Sequence, residues 1–213
     1  MNEKANSLLQ QSANLHERVN LHERVNLHIE RLTPMGITAA KNDEILGIRL
    51  DLRDKLRLQE ENLNARKAKT RLQNEKIHQL GNAIRRVRGF ARVAFMDNPG
   101  VLAEFHIGER VPITVNGIMT DAEHMKARAV NYMAALAAGG MIQADVDAVG
   151  TAQAGVEAAD VAQEYAKQEA KSATAAYKTA EKELKKRMQE IQRTAEVCFA
   201  NEPLLLQEFR DLD

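Results

Sequence analysis

Val93-Ala-Phe95-Met-Asp-Asn-Pro99-Gly-Val-Leu102-Ala-Glu104-Phe105 recurs as Val197-Cys-Phe199-Ala-Asn-Glu-Pro203-Leu-Leu-Leu206-Gln-Glu208-Phe209, at a constant offset of 104 residues. Six of the thirteen positions are identical. Two of those pairs are Phe in a chain with five Phe, and one is Pro in a chain with four, so coincidence is a poor explanation. The offset carries outward without a gap. Leu32 meets Leu136, Gly36 meets Gly140, Asp43 meets Asp147, Thr70 meets Thr174, Leu80 meets Leu184 and Ala91 meets Ala195, and Gln59-Glu60 meets Gln163-Glu164. Conservative apolar pairs such as Leu21 with Met125, Ile45 with Val149 and Val87 with Ile191 fill the register between them. A register held over most of the chain marks tandem copies of one supersecondary unit.

Each copy reads as a shorter helix, a Gly turn, a very long helix and a Pro-started terminal turn of helix. In the first copy the shorter helix spans roughly residues 5–33, with Leu21, Val25, His28/Ile29 and Leu32 stepping by three and four along one face. The second copy presents Met125, Ala129, Tyr132/Met133 and Leu136, preceded by Thr120-Asp121-Ala122-Glu123, which matches a capping box. Pro34 with Gly36, and Gly139 with Gly140, are expected to end these helices.

The first long helix is expected over about Thr38–Asp97. A stripe from Ile45 through Leu52, Leu56, Ile77, Leu80, Ile84, Val87 and Ala91 to Phe95 is apolar at both ends and polar in the middle. It forms a rod of ~90 Å unless it breaks near Ala65–Thr70. The second long helix, about Ala144–Ala200, is dense in Ala up to Ala180, which keeps helix propensity high but buries little area per residue. In the repeated segment, Pro99 stops the preceding helix and Asn98 caps a new one. Phe95, Leu102 and Phe105, like Phe199, Leu206 and Phe209, are expected to close a bundle end as an apolar plug, with Pro99 and Pro203 as its structural markers. Val111, Ile113 and Val115 alternate between the copies in a manner compatible with an extended segment.

Composition narrows the class. The 213 residues carry 30 basic and 30 acidic side chains, 44% hydrophobic residues and 4% aromatics, which excludes collagen-like and fully disordered chains. A lone Cys198 excludes an internal disulfide framework and a Cys-based zinc cluster. The longest nearly uncharged run, Tyr132–Ile142, is far short of the ~20 residues that span a bilayer, and no secretory leader is recognisable, so a cytoplasmic location without membrane contact is expected. The neutral total conceals a dipole. Residues 1–104 hold 18 Lys/Arg against 13 Asp/Glu, or +5, and residues 105–213 hold 12 against 17, or −5.

Chemistry-bearing patterns are few. Leu15-His-Glu-Arg-Val-Asn20 repeats as Leu21-His-Glu-Arg-Val-Asn26, but a six-residue step leaves successive His about 240° apart on a helix, away from the i,i+4 geometry of a helical zinc pair. Glu75-Lys-Ile-His78 fits one element of a di-iron bundle, and the equivalent positions in the second copy are Thr179 and Lys182. No P-loop, Gly-x-Gly-x-x-Gly, Gly-x-Ser-x-Gly or paired-Cys motif is present. No catalytic residue, metal site or cofactor is therefore expected. Residues 64–92 are different. They hold Arg66, Lys67, Lys69, Arg71, Lys76, Arg85, Arg86, Arg88 and Arg92 against the single acid Glu75, or +8. That face suits a polyanion or an acidic partner.

These observations predict an all-α, elongated helical bundle of two tandem, pseudo-two-fold-related helical hairpins, 1–107 and 108–213, packed together. The function they favour is a non-enzymatic structural or protein-interaction role, with association of nucleic acid through the basic face of the first long helix as an alternative and a metal- or cofactor-binding bundle as a second. Leftover apolar area predicts a homodimer that buries Ile45, Ile48, Leu52 and Leu56 or their neighbours.

Overall fold

A computed structural model describes residues 21–210. Its order is α1 (residues 21–27), α2 (Ile29–Leu32), a 3-10 turn (Thr33–Met35), α3 (Ala39–Ala94), α4 (Pro99–Glu104), α5 (Val115–Asn131), α6 (Met133–Ala138), α7 (Gln143–Cys198) and α8 (Pro203–Arg210). The protein is all-α, with no strand among the described residues. The first copy of the Leu-His-Glu-Arg-Val-Asn hexapeptide, with His16, lies outside those residues.

The 104-residue offset is written into the elements. Both α3 and α7 are 56 residues long, and Ala39 and Ala94 map onto Gln143 and Cys198. The break considered near Ala65–Thr70 does not occur. Residues 57–76 contain no Gly or Pro and are rich in Arg, Lys, Leu, Gln and Ala, all of high helix propensity, so a polar middle does not weaken the helix itself. The turns before both helices are the same device. Gly36 and Gly140 sit at φ +91° and +94°. Ile37 N–H bonds back to Leu32 O at 3.2 Å and Met141 N–H to Leu136 O at 3.0 Å. This is the Schellman closure, and the four residues it joins are buried.

Two expectations need correcting. The segment around Val111–Val115 is not a strand. Residues 110–113 are irregular, and Thr114 is extended only as the N-cap of α5, its hydroxyl accepting from Gly117 N–H at 3.3 Å. With no second strand to pair, one alternating run has nothing to hold it extended. Helix α5 consequently starts five residues before the Thr120 box, which lies inside it. The shorter helices are also each interrupted, at His28 (φ −116°, ψ 17°) and at its equivalent Tyr132 (φ −107°, ψ 15°). Those two residues turn their rings into the aromatic plugs.

The fold divides into two compact units, and neither is a sequence copy. One comprises the described residues up to Glu61 together with those from Lys171 onward; the other is Asn62–Ala170. Each unit thus takes the start of one long helix and the end of the other. In the first, Leu21, Val25, Leu32, Ile45, Leu52 and Leu56 pack with Tyr177, Leu184, Met188, Ile191, Phe199 and Phe209. In the second, Ile77, Leu80, Ile84, Val87 and Phe105 pack with Ile118, Met125, Leu136, Val149 and Val156. Ile45, Leu52 and Leu56, expected at a dimer interface, are therefore core residues, with Ile48 packed against them. The end of α7 covers them, so they offer no free surface.

The Ala-rich part of α7 is close-packed. Ala159, Ala166, Ala170, Ala173 and Ala180 are buried at steps of three, four and seven. The polar middle has a matching arrangement in both units. Gln59 donates to Thr174 at 3.3 Å in the first, and its equivalent Gln163 donates to Thr70 at 3.4 Å in the second.

Candidate functional site

The repeat motif builds one aromatic cluster per unit. Phe95 stacks with Phe105 at 6.0 Å between centroids, and Tyr132 meets Phe95 edge-on at 5.3 Å. In the other unit Phe199 stacks with Phe209 at 5.6 Å, and His28 meets Phe199 edge-on at 5.4 Å. Pro99 and Pro203 open α4 and α8, and the Asn98 side chain caps α4 by accepting from Val101 N–H at 3.2 Å. Leu206 packs against its core, whereas Leu102 is half-buried and Val101 takes the inward position. These contacts are structural. Around the Tyr132 plug, Glu104 accepts from Arg128 at 2.8 Å and from the Tyr132 hydroxyl at 3.2 Å. Burial, and then that hydrogen bond, hold the phenol above its ordinary pKa.

The basic face of α3 does not survive as one surface. Arg66, Lys67, Lys69 and Arg71 are exposed and make no ion pair among the described residues. Arg85 bonds Asn82, and Arg86 pairs with the buried carboxylate of Asp145 at 2.7 Å. Arg88 leaves the face altogether and is 8% exposed. Its Nη2 donates to both oxygens of Asp121, at 3.0 and 2.9 Å, and its Nη1 donates to Glu109 O at 2.9 Å. The reason is angular: residue 88 follows the buried Val87 and precedes the buried Ala91 by one turn, and Asp121 approaches from α5.

Asp121 is the hub of a larger network. His106 Nδ1 lies 3.1 Å from Asp121 Oδ1, and since the carboxylate only accepts, this nitrogen carries the proton. The His106 ring stacks on His124 at 4.5 Å with 3° between planes, and His124 Nε2 donates to Glu104 O at 2.7 Å. His106 holds a left-handed backbone, φ +50°, at the end of α4. Arg88, Asp121 and the two imidazoles together pin the chain as it leaves α4, and so place residues 107–113 beside α3.

A cleft of 670 Å³ lies between that loop and the last third of α3. His78, Arg85, Arg88 and Arg92 line it from the helix, and Gly108 and Arg110 from the loop. Glu109 is its one acid. Sequence reasoning found the helix contribution through the run of bases but missed Arg110 and the loop, because nothing local says that residues 107–113 fold back on α3.

The remaining candidates are accounted for by packing. Glu75 accepts from Gln79 at 3.1 Å, and His78 is exposed. No group of three or more His, Cys, Asp or Glu among the described residues is placed to hold a metal ion. Cys198 is half-buried, its Sγ 3.5 Å from Arg31 O. No described helix is long and apolar enough to cross a membrane. Comparison with protein-family models, curated proteins and solved structures finds no match.

Proposed function

We propose that the chain is a non-enzymatic helical bundle with a structural or protein-interaction role, working as a homodimer. What supports this reading above all is where the chemistry-bearing side chains are used. His28 belongs to a plug, His22 faces Asp43 at 3.4 Å, His106 and His124 pin a loop, and Cys198 contacts a backbone carbonyl. Each joins one element to another. The apolar area for self-association is not Ile45–Leu56 but Val161 and Tyr165, one turn apart on α7 and 67% and 65% exposed. Sedimentation equilibrium at tens of micromolar tests the dimer. A two-chain mass is expected, falling to one chain with Val161→Lys and Tyr165→Lys while helicity by circular dichroism is kept. A strictly monomeric wild type overturns it.

A second reading keeps nucleic acid as the partner, and one observation favours it: Arg66, Lys67, Lys69 and Arg71 are exposed bases that form no ion pair among the described residues. Phosphate contacts of this kind release counterions, so affinity for a 20-nucleotide strand must fall steeply between about 50 and 200 mM salt. Anisotropy that does not respond to salt, or no binding at 50 mM, removes this reading.

A further inference from the structure

We propose that the cleft between α3 and residues 107–113 is a binding site for the phosphate group of a small phosphorylated ligand. Four Arg side chains line the cleft against one acid, Glu109. Arg85 and Arg92 reach it from one face of α3, two turns apart, Arg110 from the loop, and His78 from a further two turns down. Arg92 and Arg110 are exposed and form no ion pair among the described residues. The guanidinium fork suits tetrahedral oxyanions, which accept two parallel N–H bonds from it.

The duplication supplies an internal control. The positions equivalent to His78, Arg85, Arg88 and Arg92 are Lys182, Gln189, Gln192 and Glu196. The sister helix therefore builds an equivalent core with Gln189 and Glu196 where α3 has Arg85 and Arg92, so packing does not require those two bases. Bases spaced three, four and seven apart on a helix repel one another and cost stability unless something anionic offsets them. Of these four bases, Arg88 alone is ion-paired among the described residues, with Asp121. Concavity decides between a small ligand and a strand. The site is bounded by α3 on one side and by the pinned loop on the other, which suits a compact ligand better than an extended strand. The exposed bases that could track a strand, Arg66 to Arg71, lie some two turns or more beyond His78 and do not line it.

Sodium tripolyphosphate is the probe, titrated calorimetrically into the full chain at low salt. Saturable one-to-one binding is expected, weakened about tenfold or more by Arg85→Gln with Arg92→Gln. Arg66→Gln with Arg71→Gln, on the same helix outside the cleft, is expected to change affinity less than about twofold. Absence of wild-type binding overturns the proposal, and so does equal weakening by both pairs, since that is diffuse attraction. A 20-nucleotide single strand that binds more tightly than tripolyphosphate and is lost with Arg66→Gln and Arg71→Gln also overturns it, in favour of a nucleic-acid face. Should the cleft variant lose helicity, wild-type amide shifts decide: tripolyphosphate must move Gly108 and Arg110 more than Lys67 and Lys69, and the reverse pattern refutes the site.

Discussion

The two units share a skeleton and reverse its charges. Leu52 and Val156, Leu32 and Leu136, Leu184 and Leu80, and Phe209 and Phe105 are buried at equivalent positions in the two cores. Lys41 on α3 pairs with Glu190 on α7 at 2.6 Å. Their equivalents are Asp145 on α7 and Arg86 on α3, which pair at 2.7 Å. The same two places hold an ion pair in both units with the signs exchanged. Packing thus fixes where a pair must sit and leaves its polarity open. The polarity has a use. Two first-copy halves packed together would set Lys41 against Arg86, and two second-copy halves would set Asp145 against Glu190. Like charges disfavour both arrangements, so these two pairs favour one copy packing with the other. The units also differ in polarity one layer inward: Gln73 donates to Asp160 at 2.6 Å in one, while the equivalent Tyr177 and Leu56 are core residues in the other.

The equivalence of the plugs is tested most severely by Phe105→Ala and Phe209→Ala. Both rings are fully buried, and each loss should cost about 3–5 kcal/mol in denaturant unfolding. Costs that differ by more than about 2 kcal/mol would mean that the two plugs are not the same device. Next comes a feature found in one unit alone. Arg88→Ala leaves Asp121 buried without its main partner and should cost about 3 kcal/mol, whereas the equivalent Gln192→Ala should stay within about 0.5 kcal/mol. A mild Arg88→Ala would show the pair to be dispensable.

The exchanged signs give a smaller effect. Lys41→Asp places two acids together and should cost on the order of 1 kcal/mol, and adding Glu190→Arg should return most of it by copying the other unit's polarity. Failure of the second change to restore stability would refute the equivalence of the two pairs. Smallest is the response to acid, which belongs to the first unit. The Lys41 ammonium holds Glu190 below the ordinary 4.5, and the Arg31 guanidinium does the same for Glu202. A carboxyl more acidic in the folded chain stabilises it above the ordinary value and loses that contribution as pH falls through the lowered one. The gap in unfolding midpoint between wild type and Glu190→Gln should accordingly be present at pH 6 and narrow as the pH falls below the ordinary carboxyl value. A gap that stays constant would show that the pair is not titrating.

Much of this was legible beforehand, for reasons that can be located. Ile45, Leu52, Leu56, Ile77, Leu80, Ile84, Val87 and Ala91 all lie on the three-four stripe, and all are buried. Helical periodicity reports a buried face because burial is what selects it. It does not report what covers that face, since apolar contact has no direction, and so Leu52 and Leu56 looked available when α7 covers them. The start of α5 was misplaced because Thr114 and Thr120 both have capping chemistry. Ile118, Asp121 and Ala122 decide it, since all are buried and need one continuous helix through them. The cleft was half visible. Its bases stand in one run on α3, but Arg88 is claimed by Asp121, 33 residues away, and Arg110 is delivered by a loop held through His106 and His124. Pairings of that range leave no trace in local spacing.

The division of the chain at Glu61 and Lys171 sets an order of assembly. The second unit is a single contiguous stretch, complete once residue 170 has been synthesised, and its hydrogen bonds between the long helices span 87 and 93 residues, less than the first unit's 115 between Gln59 and Thr174. The first cannot form until α8 arrives, because Leu21 and Phe209 share one core across almost the whole chain. Closing so long a loop through disordered polypeptide is entropically slow, but a middle segment that is already compact shortens the effective loop. The earlier-made half of the first core must therefore wait with Val25, Ile45 and Leu52 uncovered while ribosomes extend the chain. During that interval the nascent protein is most exposed to chaperones, proteases and neighbouring nascent chains.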